Sequence, residues 1–139
     1  MKFSVNRSNL IRSAAVFFFC ILISACGAHK TLESLMSTES AKDKAQEVKN
    51  SILSQNSEIY GDYSMEISSN DVVYKYFYRA DFSDEDIQKI TKALEDEKNW
   101  SDTINSIKDE IEQTSSIRPS SVTFIYYTSD KKELFKVRE

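Results

Sequence analysis

Val72-Val73-Tyr74-Lys75-Tyr76-Phe77-Tyr78-Arg79-Ala80-Asp81-Phe82 is the stretch on which the fold turns. Its even positions, Val72, Tyr74, Tyr76, Tyr78, Ala80 and Phe82, carry no charge, while its odd positions mix Val73 and Phe77 with Lys75, Arg79 and Asp81. Alternation of this kind has the period of a β-strand with one face in a core. Three alternating tyrosines could instead form an exposed stacking platform for a carbohydrate or a peptide, since each ring is a large rigid surface with a polar tip. The charge-free even face favours the core, with the tyrosine hydroxyls at its rim.

Towards the N-terminus, Ser69-Asn70-Asp71 reads as a compact turn, and Tyr63, Met65 and Ile67 alternate with Ser64, Glu66 and Ser68. A hairpin follows from that pairing. Before it, Ala41, Ala45, Val48 and Ile52 recur at offsets of three and four, with Lys42, Asp43, Lys44, Glu47 and Lys49 between them, which predicts an amphipathic helix over 39–54. Leu32, Leu35 and Met36 show the same spacing ahead of a pause at Ser37-Thr38. Towards the C-terminus, Ser83 followed by Asp84-Glu85-Asp86 is an N-cap with acids in the first turn. These oxygens are too closely spaced for a calcium loop. Ile87, Ile90 and Leu94 form one stripe, and Trp100, Ile104, Ile107 and Ile111 a second that is out of phase with it, so 84–115 is two helices or one sharply kinked helix. Residues 122–128 are β-branched and aromatic, Ser129-Asp130-Lys131-Lys132 turns the chain, and 134–137 closes a second hairpin. The predicted class is α+β, in the order α-β-β-α-α-β-β: an antiparallel sheet of about four strands with helices on one face.

The N-terminus stands apart. Residues 1–25 contain Lys2, Arg7 and Arg12 and no acid, and the 16-residue stretch 13–28 is uncharged. A permanent bilayer span needs about 20 apolar residues, so a basic start with a shorter apolar run matches a cleaved signal peptide. At the end of that run stands Ile23-Ser24-Ala25-Cys26, a branched aliphatic residue and two small residues before a cysteine. It resembles the lipobox of bacterial lipoprotein precursors. The resemblance implies that Cys26 receives a diacylglyceryl group on its sulfur, that the Ala25–Cys26 bond is cut, and that Ile23, Ser24 and Ala25 are the signal peptidase recognition positions. A plain secretory signal and a retained helix are the competing readings. Cys20, inside the apolar run, reads as a passive hydrophobe. On the lipoprotein reading, residues 1–25 are removed, 26–37 are a tether, and 38–139 are a single α+β domain held to the membrane through the N-terminal diacylglyceryl cysteine. Localisation would be the extracytoplasmic face of the cell membrane.

Composition narrows the chemistry. The chain has 18 Lys and Arg against 22 Asp and Glu, and only 2 Gly, 1 Pro and 1 His. Loss of Lys2, Arg7 and Arg12 with the signal leaves 15 basic residues against 22 acidic ones, a net charge of −7. Such a domain has no basic stripe for nucleic acid. Apart from Cys26 the mature chain has no cysteine, which excludes disulfides, thiolate metal sites and a cysteine nucleophile. The single histidine, His29, lies three residues beyond Cys26 on the tether, so a Ser/His/Asp triad has no histidine to use. No catalytic residue, metal ligand or cofactor site is expected.

The lipobox, the Thr31-Leu32-Glu33-Ser34 opening, the Val72-Val73-Tyr74-Lys75-Tyr76 strand and the Phe124-Ile125-Tyr126-Tyr127 hairpin together resemble a family of small, uncharacterised Gram-positive lipoproteins. That resemblance carries no established activity. The function expected is a non-catalytic envelope interaction module with an unknown envelope partner. A cell-surface inhibitor or immunity-type protein acting on an enzyme or toxin is the alternative. A solute-binding protein is the weakest class, because the 114 residues left after cleavage cannot form two lobes around a ligand.

Overall fold

A computed structural model describes residues 31–139. Along the chain run α1 (Leu32–Met36), α2 (Glu39–Gln55), β1 (Tyr60–Ser68), β2 (Asp71–Tyr78), α3 (Asp84–Glu95), α4 (Trp100–Ser115), β3 (Ser121–Tyr127) and β4 (Glu133–Arg138). Among the described residues, three of the four helices begin at side-chain caps. Thr31 and Ser34 close a capping box at α1, Thr38 accepts from the Ala41 N–H at α2, and Ser83 and Asp86 close a second box at α3. The out-of-phase stripes resolve as two separate helices, α3 and α4, with the Trp100 indole N–H donating to the Leu94 carbonyl at 3.0 Å across the break. α1 falls within the segment expected to be tether. Its Leu32 and Leu35 belong to the core, Leu32 N–H donates to Asn70 Oδ1 at 3.0 Å, and Glu33 N–H to the Ser69 carbonyl at 3.0 Å.

The four strands lie in the order β1-β2-β3-β4. The outer pairs are antiparallel hairpins, as the alternation predicts. The central pair corrects the expected antiparallel sheet: β2 and β3 run parallel, in register from Asp71 beside Ser121 to Phe77 beside Tyr127. Parallel neighbours need a long crossover, and α3 with α4 supplies it by returning the chain to the end where β2 began. There Ser120 N–H donates to the Asn70 carbonyl at 2.9 Å, and Ser121 Oγ donates to the Asp71 carboxylate at 2.7 Å.

Helices cover the even face of β2, and the core lies between them and the sheet. Tyr74, Tyr76, Tyr78, Phe124 and Tyr126 are at most 2 % exposed, and Ile52, Ile90, Leu94, Ile104, Ile107 and Ile111 cover them. Parallel register sets the rings in stacks: Tyr74 on Phe124 with centroids 5.1 Å apart, and Tyr76 on Tyr126 at 5.1 Å and 14°. Tyr60 and Tyr63 close on Tyr76 at 5.0 and 5.3 Å. The strand is shorter than the pattern, since β2 ends at Tyr78 while Phe82 still packs against the core.

The hydroxyls are not at the rim. Those of Tyr60, Tyr76, Tyr78 and Tyr126 are buried, and no protein group among the described residues hydrogen-bonds them. A buried polar group left in this way costs about 1–3 kcal/mol, so the rings stabilise the core and their oxygens oppose it. The two parts of one side chain can be separated by mutation. Tyr76→Ala should lower unfolding free energy by about 3–5 kcal/mol, a large share of a typical 5–15. Tyr76→Phe, which keeps the ring and removes the oxygen, should leave it unchanged or raise it by about 1 kcal/mol. Urea midpoints of the two variants check both signs, and a wild-type midpoint for Tyr76→Ala would contradict the core placement.

Candidate functional site

Ile23, Ser24, Ala25 and Cys26, the positions singled out for lipidation and cleavage, lie outside the described residues, as does His29. Within the described residues, the tyrosine ladder is closed to ligands by burial, so it offers no platform. The acids at 84–86 are occupied in starting α3. The Asp86 carboxylate accepts from both the Ser83 N–H and the Ser83 hydroxyl, which hold it below the usual carboxylate range. No group of three or more His, Cys, Asp or Glu side chains among the described residues could hold a metal ion. Asp109 and Glu112 both bind Arg118, at 2.6 and 2.8 Å.

What remains is one edge of the sheet. β1 and β4 are the two edges, and the direction of their unpaired peptide groups follows from the ladder. Ser68 and Asp71 flank the two-residue turn Ser69-Asn70, so they form a hydrogen-bonded pair, and pairs alternate from there. Glu66 and Ser64 therefore point their peptide groups at β2, while those of Ile67, Met65 and Tyr63 point outward. The Tyr63 N–H turns to the Asp62 carboxylate at 2.8 Å. Among the described residues, nothing pairs with the outward main-chain donors and acceptors of Met65 and Ile67.

The other edge is different. Val122 and Glu139 exchange both main-chain bonds, at 2.8 and 3.2 Å, which fixes the β4 alternation so that Lys136 and Arg138 face outward. Charged residues at an exposed edge resist further strand pairing. β4 is blunted in this way, and β1 carries apolar residues at the equivalent positions.

Beside the β1 edge runs a groove with α2 as its opposite wall. Two hollows of about 240 and 310 Å³ make it up, and Lys42, Ala45 and Met65 line both. Val48 and Tyr63 extend it at one end, Met36 and Ile67 at the other. The 42, 45, 46, 49 spacing along α2 places those four side chains on the flank of the helix that looks past the sheet edge. Lys42 is paired with Glu39 only at 3.8 Å and is 60 % exposed. Lys49 reaches Asp62 at 3.0 Å. Burial works to raise the Asp62 carboxyl, but the hydrogen bonds from Lys49 and from the Tyr63 N–H overcome it and hold the group below its usual range.

Sequence reasoning missed this groove. The α2 stripe of Ala41, Ala45, Val48 and Ile52 was legible, but which of them overhangs the edge depends on the helix's rotation about its own axis. Only Ala41, Val48 and Ile52 are buried, and Ala45 lies partly open at the groove.

A family model described as a domain of unknown function (DUF4854) matches residues 32–137, more than half of the 139. No curated protein and no solved structure matches the chain.

Closure of the tyrosine face has a pH signature. Burial pushes the phenols of Tyr60, Tyr63, Tyr74, Tyr76, Tyr78 and Tyr126 above their ordinary value of 10. The unfolded chain releases those protons near pH 10 and the folded chain does not. The stability they contribute is therefore complete below pH 10 and declines above it, by at most about 1.4 kcal/mol per pH unit for each tyrosine. Between pH 10 and 12, tyrosinate absorbance at 295 nm should rise together with loss of the far-ultraviolet circular dichroism, in one cooperative step. Titration of most of the phenols with the dichroism intact would show the rings to be reachable by solvent.

Proposed function

We propose that this chain, which belongs to the DUF4854 family of domains of unknown function, is a lipid-anchored extracytoplasmic lipoprotein that acts as a non-catalytic interaction module of the cell envelope. The observation that carries the reading is Ile23-Ser24-Ala25-Cys26, placed directly after a basic start and an apolar run too short to span a bilayer comfortably. Cys26 is the acylated residue, and Ile23, Ser24 and Ala25 are what the signal peptidase reads.

The physical chemistry of the rest is consistent with attachment from that end. No helix among the described residues is long and apolar enough to cross a membrane. A net charge of −7 after cleavage repels the domain from anionic headgroups, so attraction to the surface cannot hold it there. Two or more acyl chains, at about 0.8 kcal/mol per buried methylene, hold where one chain would dissociate. The non-catalytic part of the reading is supported by the fate of the acids. Asp86 caps α3, Asp109 and Glu112 bind Arg118, and Glu66 binds Lys75 at 2.6 Å, so these carboxylates are spent on structure or on exposed ion pairs.

Replacement of Cys26 by Ala removes the sulfur that takes the diacylglyceryl group. In cells fed an alkyne-tagged fatty acid, the wild-type chain should carry label and run as the shorter, cleaved form. Cys26→Ala should carry none and accumulate as the longer precursor. Equal label on the two would overturn the lipoprotein reading.

A further inference from the structure

We propose that the β1 edge and the flank of α2 beside it form a docking groove for an extended peptide segment of a partner protein, one with apolar residues at alternate positions and at least one carboxylate. Three features define the occupant. The outward peptide groups of Met65 and Ile67 are matched by another strand's backbone, which is how an extended peptide adds to a sheet edge. A strand laid there points every second side chain towards α2, into hollows of about 240 and 310 Å³ lined by Ala45, Val48, Met65, Met36 and Ile67. The charges lining the hollows are Lys42 and Lys49 on α2 and Glu33 on α1, whose carboxylate already accepts the Ser69 N–H at 2.6 Å; the lysines' partners Glu39 and Asp62 are themselves exposed, in pairs that contribute little and exchange readily. An acidic side chain or a terminal carboxylate on the peptide meets those ammonium groups.

A second copy of the chain fits the same edge poorly. Two-fold pairing of β1 with its own copy would place the two α2 helices side by side on one face of a continuous sheet. Strands lie about 4.8 Å apart, so helices sitting over adjacent strands have no room, and their facing flanks would set Lys42 and Lys49 against the same lysines. A single peptide strand brings neither helix nor lysines.

The proposal deepens the interaction-module reading and rests on it, but the groove can be tested without the anchor. The full-length chain, solubilised in mild detergent and immobilised through a C-terminal tag, would be panned against a phage-displayed library of random heptapeptides. The selected peptides should alternate apolar residues with Asp or Glu and be enriched at least tenfold over the bare support. Met65→Pro removes the outward N–H at an edge position that tolerates proline, and it should cut enrichment at least tenfold while the chain, though less stable for the lost side chain, still melts cooperatively. Should that variant fail to fold, Lys42→Glu with Lys49→Glu, both on the helix surface, decides the matter: it should turn the selected charge from acidic to basic. Three outcomes would overturn the groove: no enrichment by the wild type, the same peptides selected by the wild type and the lysine-reversed variant, or disulfide-linked dimers formed by Ser64→Cys and not by the wild type, which would assign the edge to a second copy. Fatty-acid labelling reads the anchor separately. A labelled protein that selects no peptide refutes the groove alone, and an unlabelled one that selects acidic peptides refutes the anchor alone.

Discussion

Parallel pairing of β2 with β3 is the contact on which the rest of this structure depends. Because Tyr74 lies beside Phe124 and Tyr76 beside Tyr126 in the same register, four large rings stack across the centre of the sheet, and Trp100 closes on Phe124 from α4 at 5.5 Å. An antiparallel pairing would place residues from opposite ends side by side and break that order. Each outer strand then adds to a finished centre. Tyr60 and Tyr63 bring β1 onto Tyr76, and Phe135 brings β4 onto Trp100 at 5.5 Å. The small size of the domain makes the concentration of aromatics useful, since a short chain buries less of its surface than a long one and the described residues contain no cysteine to supply a disulfide.

Much of the fold was legible in the residues because strand and helix periodicity is local. The β2 alternation, the Ser83 cap and the stripes of α2 and α4 each follow from neighbours a few positions apart, and each element formed within its pattern, β2 stopping at Tyr78 before the alternation ends. The direction of β3 against β2 is a different kind of fact. Both directions bury the same alternate residues, and only the path of α3 and α4 between the strands selects one. The spacing of Leu32, Leu35 and Met36 is visible in the sequence, but a five-residue helix is not stable alone, so nothing local separates α1 from a tether. It holds because Asn70 and Ser69 supply acceptors to its first N–H groups, and the Glu33 carboxylate accepts the Ser69 N–H at 2.6 Å in return. Those bonds also steady Ser69, whose φ of 54° is in the left-handed region that a non-glycine residue adopts at a cost.

The proposed lipobox and the proposed groove divide the functional information differently. Ile23-Ser24-Ala25-Cys26 is a linear word, readable without any fold, and it lies outside the described residues. The groove has no linear word at all. Lys42 and Lys49 belong to one helix, Met65 and Ile67 to a strand across a loop from it, and what joins them is the rotation of α2 and the alternation of the β1 ladder. Even the apolar character of the edge is ambiguous in sequence. Tyr63, Met65 and Ile67 read as the core face of a half-buried strand, and they are that. The same three residues turn their peptide groups outward because side-chain direction and peptide direction alternate together along a strand.

Position along the chain links the two. Thr31 caps α1 beside the Ser69-Asn70 turn, and Met36 and Ile67 form the end of the groove nearest to that turn. With Cys26 acylated, the five residues from it to Thr31 can span at most about 18 Å. On that reading a domain on so short a lead would not roam far from the bilayer, so the end of the groove lined by Met36 and Ile67 would stay close to the membrane surface and the Lys49 end would lie farther along β1. A soluble peptide could approach from any side. A segment of a membrane-bound partner would arrive already confined to the same layer, where the limited reach of both chains raises the effective concentration of each for the other. On the anchored reading, weak strand addition, which few side chains support, would become sufficient under that confinement, and the short lead and the unblunted β1 edge would serve one purpose.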